Sequence, residues 1–122
     1  MLGWSIAIYR EADYQRFDFP ELSDLAIASW TAGLGGLKWL DPLVKEGKAT
    51  EGGNGYPLWI KAKADVLLPL LAQGPPPHEG PLVIGEDYVR PGGWLGDVHI
   101  SAAPLANLPA DEDLIVIAWD QD

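Results

Sequence analysis

A single α+β domain is what this chain predicts, on three observations. Short alternating or continuous apolar stretches read as strands; other stretches repeat apolar residues at helical spacing. In chain order these run strand, two helices, strand, helix and then two strands, a segregation that disfavours a doubly wound parallel fold. The expectation is one antiparallel or mixed sheet of about four strands, with two or three helices packed mainly on one face. The 122 residues are enough for one domain, residues 1–122, with a core that needs no disulfide or metal.

Trp4, Ile6 and Ile8 alternate with Ser5, Ala7 and Tyr9, so residues 3–9 read as a first strand. Pro20 sits where a helix would begin, Asp18 can cap it and Gly33 can end it. Leu22, Leu25, Ala26 and Ser29 share a face, which predicts a helix over about 20–32. Leu37, Leu40, Leu43 and Val44 predict a second helix ending near Gly47. Pro42 lacks an amide donor, so either Asp41 caps a short helix or a longer one bends.

Gly52, Gly53, Asn54 and Gly55 form a turn into a strand running from Tyr56 to Ala62. Val66, Leu67, Leu70 and Leu71 line one face of a helix over Lys63–Gln73, stopped by Gly74 and open to a kink at Pro69. From Gly74 to Gly96 there are five prolines and six glycines in 23 residues. That segment reads as a long surface loop with one short strand at Leu82–Ile84, and ordered loops of such length are often functional. Val98 and Ile100 mark another half-buried strand. Leu114 to Trp119 is a continuous, β-branched apolar run expected to lie centrally in the sheet.

The net charge is −10 and is unevenly placed. Nine carboxylates face one base, Arg90, between Val66 and Asp122, a local net of −8. Residues 1–24 carry −3, while Leu25 to Asp65, which holds all five lysines, carries +1. Such a field repels nucleic acid and anionic lipid and speeds encounter with a basic partner. The chain has no cysteine, which excludes thiolate zinc sites and a cysteine nucleophile and suits a reducing compartment, so cytoplasm is the expected location. No signal-peptide pattern or membrane-length apolar run is present.

Motifs for catalysis are sparse. Asp97, His99 and Ser101 are an acid, an imidazole and a hydroxyl that strand alternation would place on one face. Residues two apart on a strand lie ~6.5–7 Å from each other, too far for a hydrogen-bonded relay. A solvent-facing polar face or a partner-contact face is the simpler reading, and no catalytic residue is assigned. The two histidines, His78 and His99, lack a second imidazole at ligand spacing, and the acids have no calcium-loop pattern, so no metal or other cofactor is expected. The glycine runs at 33–36 and 52–55 lack the lysine and strand-to-helix context of a phosphate loop.

Of the six tryptophans, Trp4 and Trp119 sit in predicted strands as core candidates, and Trp30 and Trp39 at helix positions as core or flank. Trp94 lies in the breaker-rich loop among Glu86, Asp87 and Asp97, the make-up of an interface anchor ringed by charge; a lid over the core is the alternative. The expected partner-binding set is therefore Glu86, Asp87, Trp94, Asp97 and His99. Asp111, Glu112 and Asp113 form a second candidate that could equally cap the strand after it.

Trp39, Leu40, Asp41, Leu43, Val44 and Gly47, then Gly52, Gly53, Asn54, Gly55, Tyr56 and Pro57, then Ala62, Lys63, Ala64, Leu67, Leu68 and Pro69, resemble the bacterial immunity proteins. These are the antitoxins of polymorphic toxins and contact-dependent inhibition systems. The resemblance covers about a third of the chain and transfers no binding residue by position. It implies a cytoplasmic inhibitor that occludes the active site or another essential surface of one toxin, and many such toxins are basic nucleases. The expected function is thus an acidic binding protein for a basic toxin. The rivals are a small hydrolase or transferase whose carboxylates converge only in the fold, and a structural subunit of a larger assembly. Nothing in the sequence sets the oligomeric state.

Overall fold

In a computed structural model of the chain, residues 3–18, 21–33, 36–54, 57–71, 82–85, 88–90, 95–100 and 108–120 are described. Six strands form one sheet in the order β3-β4-β8-β1-β2-β7: β1 Trp4–Arg10, β2 Ala28–Ala32, β3 Ala49–Gly53, β4 Leu58–Lys63, β7 Leu95–Ile100 and β8 Asp113–Asp120. All its neighbouring pairs are antiparallel. A separate hairpin pairs β5 Leu82–Gly85 with β6 Tyr88–Arg90. The helices are α1 Glu11–Arg16, α2 Glu21–Asp24, α3 Asp41–Lys45, preceded by a 3-10 turn at Lys38–Leu40, and α4 Ala64–Leu71.

The class is the expected α+β, with six strands in the main sheet instead of about four. Of the strands read from the sequence, β1, β4, β7 and β8 lie in this sheet and the short strand at Leu82–Ile84 is β5 of the hairpin; β2 and β3 are the additions to the sheet. The predicted helix over 20–32 is one helical turn, Glu21–Asp24, followed by a strand. The apolar spacing of Leu22, Leu25 and Ala26 invited a helix, but Ala28, Trp30 and Ala32 alternate buried with half-buried Ser29 and Thr31. That period of two is satisfied by pairing with β1 on one side and β7 on the other, which outweighs local propensity. β3, with sequence ATEGG, carries no strand signature and exists through its hairpin with β4.

Helices cover both faces rather than mainly one, because β8 is apolar at every position from Leu114 to Ala118 and needs cover on each side. On the first face Ile6, Ile8, Val116, Ile60 and Trp30 pack with Ile27, Leu40, Leu67 and Leu71, with Leu43 and Val44 of α3 against them. On the second, Tyr9, Ile115 and Ile117 meet Leu22 of α2, Tyr14 of α1, Phe17 and Trp59. Each fully buried aliphatic contributes about 1.5–3 kcal/mol. β8 is central, as its composition predicted.

Pro42 falls in the first turn of α3, where an amide donor is not needed. α3 is thus the short helix of the two alternatives, but Asp41 is its first residue and not its cap: the capping position is Leu40, which makes no side-chain bond. Gly47, at φ 76°, ends α3: its N–H donates to Val44 O at 3.1 Å and the Lys48 N–H to Leu43 O at 2.9 Å, the paired bonds of a Schellman ending. α4 begins one residue after its predicted start and carries Pro69 inside.

Candidate functional site

The predicted contact residues fall in different places. Glu86, Asp87 and Trp94 lie outside the described residues, as does Ser101. Asp97 and His99 are on β7, an edge strand. His99 is exposed and opposite Ser29. A register shift puts two residues, Asp97 and Val98, opposite the single span between Ser29 and Thr31, so the simple alternation expected through Asp97 and His99 is broken there. Asp111, Glu112 and Asp113 form the turn entering β8. Three strand spacings and four residues along the strand separate Asp113 from His99, about 20 Å.

The Asp111–Asp113 turn has a structural duty as well. Its Glu112 N–H bonds Pro109 O at 3.1 Å, and the carbonyls of Glu112 and Ala110 accept the first two amide donors of α4, from Ala64 at 2.8 Å and Asp65 at 3.0 Å. Those are donors a helix start leaves unsatisfied. The turn thus holds α4 to the sheet and fixes where its three carboxylates stand.

Around it runs a rim of alternating charge at one end of the sheet. Arg10 Nε donates to Glu112 Oε1 at 2.8 Å, Lys61 Nζ to Glu11 Oε1 at 2.9 Å, and Lys63 pairs with Asp113. The hydrogen bond that Arg10 donates to Glu112, together with the negative charge of Glu112, holds the guanidinium pKa above its ordinary value. The bond to Asp113 does the same for the Lys63 ammonium, helped by the field of Asp113, Asp111 and Glu11. Lys63 and Asp113 are exposed, so these are solvent-screened contacts that position side chains more than they stabilise the fold.

Of the shallow hollows that share this rim, two carry an acidic or an aromatic lining. One is lined by Glu11, Ala12, Gln15, Asp111, Glu112 and Asp113, four carboxylates and no base. The other, on the second face of the sheet, is lined by Glu11, Tyr14, Gln15, Trp59, Lys61 and Ile115. There the Lys61 ammonium lies 5.1 Å from the Trp59 ring centroid, and Tyr14 stands 5.9 Å from the ring of Tyr9. Burial pushes the Tyr9 hydroxyl's pKa up, and Tyr14 adds to it. Trp59 can lie flat because Gly52 is opposite it on β3: a Cβ there would stand 2.6 Å from indole Cε2.

No charged side chain is buried among the described residues, and no three of their acids, histidines or cysteines are grouped to hold a metal ion. No described helix is long and apolar enough to cross a membrane. Trp119, read as core from its strand, is 41 % exposed, because it sits on the second face beyond the cover of α1 and α2, opposite Ser5. Trp30 is buried, and Trp39 donates its indole N–H to Gly36 O at 2.9 Å.

The sequence reading missed Glu11, Tyr14, Gln15, Trp59 and Lys61. Two signals were present: Glu11, Tyr14 and Gln15 stand at i, i+3 and i+4 of one helix face, and Trp59 and Lys61 at i and i+2 of one strand face. That the two faces meet follows only from the pairing of β4 and β1 with β8. Comparison with protein-family models, with curated proteins and with solved structures returns no match.

Proposed function

We propose that this protein is a binding module that neutralises a basic protein toxin, such as a nuclease, by occluding its active site or another essential surface. The observation that carries this reading is the hollow lined by Glu11, Asp111, Glu112 and Asp113, three of which are paired by Lys61, Arg10 and Lys63 from outside its lining. Two helices and the entry of a central strand fix these carboxylates in place, so little side-chain or backbone freedom is lost when a basic surface docks. The lysines and arginines with which a nuclease grips phosphate would form charge-assisted hydrogen bonds here instead. The net charge of −10 would steer the encounter, making association fast and salt-sensitive.

The test is affinity capture from the native organism in low salt, with elution by high salt and identification of the eluted proteins. A basic toxin should be recovered. The double substitution Asp111→Lys/Asp113→Lys should slow its association about tenfold or more while leaving the fold intact by circular dichroism. Recovery of no basic protein, or equal binding by the charge-reversed variant, would refute the proposal.

A further inference from the structure

Glu11 stands where the surface hollows at this end of the sheet meet, and its bonds to Lys61 and Gln15 are one-sided. Lys61 Nζ at 2.9 Å and Gln15 Nε2 at 3.0 Å both reach the same oxygen, Oε1. Neither bond engages Oε2. The Glu11 side chain is 20 % exposed, so a donor brought by a partner can reach its carboxylate from the hollow and form a charge-assisted hydrogen bond.

The surroundings of that carboxylate are aromatic. Trp59 and Tyr14 flank the hollow and Ile115 forms part of its lining, and the Lys61 ammonium lies over the indole. An indole, a phenol and a carboxylate lining one hollow are the groups that hold a cation. The chain supplies one of its own, and Lys61 is 37 % exposed on a flexible stem, so it can turn out to water.

We propose that the hollow between Glu11, Tyr14 and Trp59 seats an arginine side chain of the basic partner, with Lys61 as the occupant it displaces. This inference rests on the basic-partner reading above and names the chemistry of the contact. Arginine suits it better than lysine because a planar guanidinium stacks on an indole while its edge donates to a carboxylate. It is also less strongly hydrated than an ammonium and gives up water more readily. The exchange conserves charge at Glu11: one cation leaves for solvent and another takes its place, so no carboxylate is left unpaired.

The test uses the whole protein and N-acetyl-L-arginine methylamide as probe, with the uncharged citrulline analogue as control. The readout is the NMR signal of the Trp59 indole N–H, assigned by its loss in Trp59→Leu. Arginine should shift this signal saturably and citrulline should not. Lys61→Met should tighten binding about fivefold by emptying the hollow, and Glu11→Gln should weaken it by at least as much. Both substitutions are at partly exposed positions, so the result does not depend on Trp59→Leu folding. A Trp59 signal that stays still while those of Asp111–Asp113 move, or an affinity unchanged in Lys61→Met, would overturn this inference and leave the basic-partner reading standing. Failure of affinity capture would remove that reading separately.

Discussion

Gly52→Ala is a substitution that local propensity would favour and the tertiary structure forbids. Gly52 does not share the positive φ of Gly47 and Gly53, so alanine meets no backbone strain there, and lowering the entropy of the unfolded chain would stabilise the fold by ~0.4–1 kcal/mol. Against this, the new Cβ would stand 2.6 Å from Cε2 of Trp59 and closer still to Cζ2. The indole must leave its place over the β3–β4 pair, losing its contact with Lys61, worth ~0.5–1 kcal/mol, and disturbing the packing under α1 at an overpacking cost of ~1–3 kcal/mol. The clash wins, and the net destabilisation is roughly 1–2 kcal/mol. Urea unfolding should show a midpoint lower by roughly 0.5–1 M. In a Trp59→Leu background the same alanine should be neutral or stabilising, giving a coupling of at least ~1 kcal/mol in the double-mutant cycle. If Gly52→Ala matched the parent and the coupling fell within ~0.3 kcal/mol of zero, the indole would not lie over Gly52, and the proposed arginine seat would lose one wall.

Three further outcomes follow from the same packing. At Gly47, φ is 76° and a Cβ would meet nothing within 4 Å, so Gly47→Ala should cost only the left-handed strain, ~1 kcal/mol, and Gly47→Asn less, read by denaturant midpoint. Leu67 on α4 is fully buried, so Leu67→Ala should cost ~2–5 kcal/mol in urea unfolding; a loss under 1 would mean α4 does not pack on the sheet. Tyr9 has a folded-state pKa above its ordinary 10.0, so above about pH 10 the unfolded chain releases a proton that the folded chain retains. Stability is then fully present below that pH and falls as pH rises beyond it; Tyr9→Phe should flatten this alkaline limb in unfolding curves taken from pH 8 to 11.

Legibility in the sequence followed how far each element depends on its own residues. Alternation revealed β1, and the run Leu114–Trp119 revealed a central strand, because burial on one or both faces leaves a periodic trace. Apolar spacing revealed α4, and the proline and glycines placed α3 and its end. The carboxylates at 111–113 were visible as a cluster. Their bonds to Arg10 and Lys63, and the carbonyls they lend to α4, were not, since those partners are remote in sequence.

What the sequence determined, then, is the α+β class, the charge and most of the inward-facing residues, all properties of short windows. The tertiary structure alone decided that residues 28–32 are a strand, that 49–53 pair with β4, and that Trp119 lies open. It also decided that Glu11 and Tyr14 meet Trp59 and Lys61, residues some fifty positions apart. The reason is physical: a strand with weak local preference is stabilised by hydrogen bonds to its neighbours, and a site assembled from a helix and two strands has no period in the chain that forms it.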